Sequence, residues 1–185
     1  MASITADGST PLARDAFVRT MRRVASSVAV VTTDGPAGCQ GATVSAFSSV
    51  SADPPMILVC LRAGSRIAEA VAANGNLCVN VLPQDRHDLA NRFAGQDDHL
   101  VDDRFSGVEY FGVRGAAPEI DGATIFSGSV AHIVPAGSHC IVICQVQSVR
   151  EGAAAPLTYL DGNYHCVVPQ SLSAQGAKNC QGKAL

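Results

Sequence analysis

Tryptophan is absent from this 185-residue chain, and aromatic residues make up only 5% of it. With 47% hydrophobic residues and so few rings, a core has to be built from Val, Ile, Leu and Ala. Basic residues do not predominate either: 13 Lys and Arg stand against 16 Asp and Glu, a formal net charge of -3. A nucleic-acid partner needs a basic face, so the balance argues against that class. No apolar run approaches the roughly 20 residues that span a bilayer. The opening MASITADGSTPLARD lacks the apolar stretch of a signal peptide. The expectation is a cytoplasmic protein without membrane contact.

Chemical motifs are equally scarce. The seven cysteines, at 39, 60, 78, 140, 144, 166 and 180, are odd in number and no two have C-x-x-C spacing. Cys60, Cys78, Cys140 and Cys144 sit in apolar runs, where Cys acts as a small hydrophobe, so a disulfide framework is not expected. No G-x-G-x-x-G follows a strand pattern, and there is no G-x-x-x-x-G-K-[ST]; Rossmann and P-loop nucleotide sites are unsupported. The histidines at 87, 99, 132, 139 and 165 show no H-E-x-x-H or H-x-x-x-H spacing for zinc. Neither G-x-S-x-G nor S-x-x-K is present for a serine hydrolase.

What is present is a succession of short strand patterns in one domain. Residues 1–10 are small and polar, and a flexible terminus is expected there. From Pro11 the spacing of Phe17, Val18, Met21 and Val24 predicts a helix. SSVAVVTT at 26–33 reads as a strand and DGPAG at 34–38 as a turn. GSRIAEAVAANG at 64–75 reads as a helix capped by Ser65 and stopped at Gly75. LCVNVLP at 77–83 is a strand, and DRHDLANRFAG at 85–95 a second short helix. Two long β-rich runs, 123–137 and 139–152, follow an acidic loop, and PLTYL and NYHCV flank the hairpin dipeptide Asp161-Gly162. The folded domain is expected over 11–168, with a flexible tail at 169–185. Many strands with few helices predict a mainly β protein, a closed or half-closed antiparallel barrel.

One stretch stands apart: GATVSAFSSVSADPPMILVCL, residues 41–61. Read as a continuous strand, Thr43, Ser45, Phe47, Ser49 and Ser51 share one face and Val44, Ala46, Ser48 and Val50 the other. The hydroxyls offer uncharged hydrogen-bonding groups. Just downstream, Ser65-Arg66 opens a helix, where amides and a guanidinium suit an anion. Such a set fits a ligand with a polar heteroaromatic edge, a hydroxylated chain and a terminal phosphate, which describes a flavin nucleotide. The residues alone also allow a solvated edge strand followed by an ordinary N-cap.

TVSAFSSVSADPP, followed by an apolar strand and GSR, resembles the short-chain flavin reductase family, whose fold is the FMN-binding split barrel of Greek-key type. VAVVTTDGPAGCQGAT, NGNLCVNVL, RFAG at 92–95, DDRF, GSH at 137–139 and PLTYLDGNYH extend the likeness from about Phe17 to Val167. It is most similar to reductase components of two-component aromatic monooxygenases, such as the 4-hydroxyphenylacetate 3-monooxygenase and chlorophenol monooxygenase reductases. The resemblance implies an NAD(P)H-dependent flavin reductase. It would supply reduced FMN or FAD to an oxygenase acting on a phenolic or other aromatic substrate, as a homodimer. By the same resemblance Thr43, Val44, Ser45, Ala46, Ser49, Val50 and Ser51 address the flavin ring and ribityl chain. Cys60 and Leu61 would add backbone contacts, Ser65 and Arg66 would hold the phosphate, and Phe93 would border the ring. Gly137, Ser138 and His139 would lie on the nicotinamide side, with Tyr164 and His165 at the same opening. The NADH or NADPH preference is left open, and no catalytic acid or base is implied. A rival on the same barrel is a flavin carrier or sensor without turnover; another is a pyridoxamine-phosphate oxidase type of site. Without the resemblance, His139 reads as a hairpin-end histidine, Phe93 as core and Cys60 as a buried small residue.

Overall fold

The computed structural model describes residues 14–100 and 103–170. Pro11, the N-terminal stretch 1–10, Cys180 and most of the tail, from 171 on, lie outside the described residues. The first helix, α1, is Arg14–Met21 and buries none of its residues. The run at 26–33 forms two strands, β1 (Ser26–Ser27) and β2 (Ala29–Thr33), which belong to different sheets. Between them the Val28 amide donates to Leu157 O and the Val28 carbonyl accepts from Leu82 N. Next come β3 (Gln40–Val44), β4 (Phe47–Ala52) and β5 (Pro55–Arg62), then α2 (Arg66–Asn74), β6 (Asn76–Val81) and α3 (His87–Phe93). A two-residue pair, β7 (Tyr110–Phe111) and β8 (Glu119–Ile120), precedes the long hairpin β9 (Thr124–Ala136) and β10 (His139–Arg150). The last strands of the described residues are β11 (Thr158–Leu160) and β12 (Asn163–His165). Their turn carries Asp161 and Gly162 at φ of 50° and 86°, a pair of left-handed residues that Asp-Gly tolerates.

The seven-stranded sheet has the order β3-β2-β6-β9-β10-β5-β4, every pairing antiparallel. Its two outermost strands, β3 and β4, are consecutive in sequence and separated only by Ser45 and Ala46. The sheet therefore curls until its edges meet at a two-residue kink, which makes a split barrel. This differs from one continuous strand over 43–51: Val44 pairs with Ala29, whereas Phe47 pairs with Val59 on the opposite side. The kink resets the alternation of faces. A register shift between Ser49 and Ser51 resets it again, with Val50 unpaired and 47% exposed.

Two cores explain why β2 is buried along its whole length. Ala29 and Val31 point into the barrel with Ile57, Val59, Leu61, Leu77, Val79 and Val142. Val28 and Val30 point outward into a second core with Cys78, Leu82, Leu89, Phe93, Ile125 and Leu157. Burial on both sides of a period-two strand yields an unbroken apolar run. In α2, Ser65 caps the start, Gly75 in the left-handed region ends it, and Ile67, Ala68, Ala70 and Val71 pack inward. The buried Asn80 stitches the outer layer to the barrel. Its amide donates to Val30 O at 3.0 Å and Thr32 Oγ1 at 3.1 Å, and its carbonyl accepts from Ile120 N at 2.6 Å. Burial pushes the Cys78 thiol up to about 12 and the Cys144 thiol up to about 11, so both stay protonated fillers. No helix of the described residues is long and apolar enough to cross a membrane.

Candidate flavin site

Where β3 gives way to β4, the barrel wall opens onto a cleft of about 700 Å³. Thr43, Val44, Ser45 and Ala46 line it from the kink, Cys60 and Leu61 from β5, Phe93 from α3 and His139 from the start of β10. A polar chamber of about 420 Å³ adjoins it, and the two spaces share Ala42, Ser65, Ile67 and Arg104. Arg66 faces the smaller chamber only. Residues expected at a flavin ring and at its phosphate thus converge on two connected spaces.

Other expected residues lie elsewhere. Ser49, Val50 and Ser51 occupy the far part of β4 and do not line the cleft; Ser51 Oγ accepts from Asp53 N at 3.2 Å. Tyr164 and His165 stand on the three-stranded sheet β1-β11-β12, away from the lining. There Tyr164 donates its hydroxyl to Asn91 Oδ1 at 2.8 Å and His165 Nε2 lies 3.2 Å from Leu160 O. Gly137 and Ser138 make the β9–β10 turn behind His139. Gly137 has a φ of 60°, Ser138 Oγ is 2.9 Å from His139 Nδ1, and Ser138 O accepts from Ala63 N.

The hydroxyls divide by what they already bond. Thr43 donates to Ala90 O at 2.7 Å, tying β3 to α3, so its hydroxyl proton is committed. Ser45 has no side-chain partner among the described residues and faces the cleft. Ser65 donates to Arg62 O at 2.7 Å and accepts from Ala68 N at 3.4 Å. Arg66 and Ile67 stand in the first turn of α2, where amides have no intrahelical acceptor, and both line the chamber.

Arg62, Arg104 and Ile141 also line the cleft, and none was expected there. Arg62 could have been found by parity, two residues beyond Cys60 on the same strand face. Arg104 lies in the DDRF motif of the resemblance, but its composition gives no hint of a role, because it reaches the site through a loop that folds back. Its Nε and Nη2 donate to Asp98 at 2.7 and 2.6 Å, and its Nη1 to Phe93 O at 3.0 Å and Gly41 O at 3.3 Å. Hydrogen bonding from Arg104 holds the Asp98 carboxyl below its ordinary range. At the chamber's edge, burial and then the charges of Asp34 and Asp103 push the Cys39 thiol up to about 11. It is therefore no nucleophile at neutral pH. Among the described residues, no three side chains converge to hold a metal ion.

The donor set fits a flavin nucleotide. A mostly apolar cleft of this size accepts a three-ring system, Ser45 offers an unengaged hydroxyl at its polar side, and the chamber presents the first turn of α2, Arg66 included, to a phosphate. The flavin reductase like domain matches residues 21–167. The chain belongs to the flavin reductase-like family. Family membership makes it a nicotinamide-dependent flavin reductase. It is 38% identical over 164 residues to the FMN reductase (NADH) RutF of Stutzerimonas stutzeri (strain A1501), covering 87% of this chain and 92% of that protein. The solved flavin reductase PheA2 superposes with a TM-score of 0.77 at 30% identity, over 85% of this chain and 100% of that one. BorF, the flavin reductase component of a bacterial two-component tryptophan halogenase, gives 0.75 at 26% identity, over 84% and 99%. In this flavin reductase the half-open barrel is thus a family frame.

Proposed function

We propose that the flavin ring binds in the larger cleft with its phosphate in the smaller chamber, and that the protein passes reduced FMN or FAD to a separate flavin-dependent oxygenase in the cytoplasm. The observation that carries this reading is the junction of an apolar cleft and an anion-ready chamber at Ser65. The chemistry supplied by the bound pair is transfer of one hydride from C4 of the nicotinamide to N5 of the flavin. The chain's own part is placement. Residues 43–46 and 60–61 set the ring plane, Phe93 closes one side, and Ser65 and Arg66 fix the phosphate. His139, its Nδ1 engaged by Ser138 Oγ, leaves Nε2 free toward the nicotinamide. Stacking two planes in fixed orientation makes the transfer effectively unimolecular, so no strong acid or base is required. Ser45 and the neighbouring backbone face the ring edge where negative charge gathers. Ser49, Val50, Ser51, Tyr164 and His165 are given no contact.

FMN and NADH are favoured by the name of the RutF relative, and a diffusible product by BorF's role as one component of two. A phenolic or other aromatic substrate for the oxygenase rests on the motif resemblance alone. The deciding experiment follows NADH oxidation by purified protein with FMN, with FAD and with no added flavin. Oxidation should require added flavin and saturate with it, FMN giving the higher kcat/KM. Flavin binding without oxidation would leave a carrier or sensor instead.

A further inference from the structure

Ser65 is flanked by two arginines that face different spaces: Arg66 lines the smaller chamber and Arg62 the cleft. On the β5–β10 ladder Arg62 is paired directly with His139, and Cys60 with Ile141, and all four line the cleft. Directly opposed residues of an antiparallel pair place their Cβ atoms about 4.5–5.5 Å apart, so the guanidinium and the imidazole share one face of the ladder. Among the described residues, no carboxylate lines the cleft. Its other arginine, Arg104, spends four N–H contacts on Asp98, Phe93 O and Gly41 O, with its charge balanced by Asp98. Arg62 makes no ion pair among the described residues. A guanidinium with no ion pair among the described residues, beside an imidazole and at the rim of a cleft whose described lining holds no carboxylate, is matched by a phosphate oxygen.

We propose that Arg62 binds a phosphate of the dinucleotide hydride donor, beside the nicotinamide placed at His139; this rests on the reductase reading above. The two arginines then divide the labour across Ser65, one for the flavin's phosphate and one for the donor's. Because the contact lies away from the reacting atoms and persists in the transition state, it supplies uniform binding.

The test compares wild type with Arg62→Gln, Arg62→Lys and Arg66→Gln. Flavin-free protein is titrated with NADH and with NADPH by the fluorescence of the reduced nicotinamide, and separately with FMN. Steady-state turnover is measured in parallel at low and high salt. Arg62→Gln should raise the Kd and KM for NADH about tenfold, the loss of one charge-assisted contact, with kcat and the FMN Kd unchanged. The salt dependence of KM should flatten with it, and Arg62→Lys should recover part of the loss. Arg66→Gln should do the reverse, weakening FMN and sparing NADH. An equal loss for NADH and NADPH places the contact on the shared pyrophosphate; a loss concentrated in NADPH places it on the 2′-phosphate. Arg62→Gln with wild-type Kd values for both NADH and NADPH would overturn the proposal, as would a loss of FMN affinity matching that of the nicotinamide donor. Wild-type protein that binds NADH and FMN without turnover would instead refute the reductase reading, leaving the Arg62 contact to be judged by the NADH Kd.

Discussion

Gly41 shows how tightly the site is set by single residues. A Cβ built there would stand 2.6 Å from Phe93 Cε1 and 3.1 Å from Phe105 Cζ. Phe93 is 1% exposed and packs edge-on against Phe105, with ring centroids 5.0 Å apart. The Phe93 ring cannot yield outward, and the space available to it is the cleft it lines. Gly41→Ala should therefore cost about 1–3 kcal/mol through overpacking. In a chain of this size that lowers Tm by about 2–4 °C per kcal/mol. It should also weaken FMN binding, because the displaced ring enters the flavin's space. Adding Phe93→Leu to Gly41→Ala should recover much of the stability. A double variant no more stable than Gly41→Ala alone would show that the crowding lies elsewhere.

At the scale of elements, the segment from α3 to Arg104 is pinned by one ion pair that also holds Gly41 O and Phe93 O. Asp98 is held below its ordinary carboxyl range of 3.8 by Arg104. A depressed native value means that the pair adds stability above the unfolded carboxyl's range, and that this is lost as pH falls through the lower native value. Thermal melts of wild type and Asp98→Asn should therefore differ at neutral pH and converge below about 3.8, with a smaller gap in high salt. A gap that persists unchanged into acid would mean the carboxylate charge is not what holds the segment. None of this was legible in the acidic loop pattern, since the pair forms only when the loop folds back. By contrast α2 was readable to its caps, because Ser65 and Gly75 act on amides and dihedrals within their own turn. The β9–β10 and β11–β12 hairpins were readable for the same local reason. The break at Ser45–Ala46 was not: no Gly or Pro marks it, and it exists because the sheet's two edges have to meet there. β7 and β8, at two residues each, are too short to show a period.

On the scale of the whole molecule, closing the barrel leaves apolar surface that the described residues do not cover. Val142 and Val59 pair directly and are fully buried inside; their sequence neighbours therefore face outward. Two rows cross the outer face in register, Val134–Ile141–Cys60 and His132–Ile143–Leu58. Val134 is 46% exposed, and Ile141, Ile143, Cys60 and Leu58 are half-buried. On α1 and just beyond it, Phe17, Met21 and Val24 are each about half exposed at helical spacing. Apolar surface of this kind suits an interaction face, and the occupant we propose for it, implied by the motif resemblance alone, is a second copy of the chain. The first of the two rows runs into the flavin cleft through Ile141 and Cys60, so pairing on this face would bring the partner close to the ring. Light scattering should then give twice the mass of the chain. Ile143→Lys, which adds a charge to the second row without touching the cleft lining, should yield a folded monomer with weakened FMN binding. A wild-type monomer would refute the dimer. A monomeric Ile143→Lys variant that binds FMN normally would keep the dimer and show that each cleft is complete within one chain.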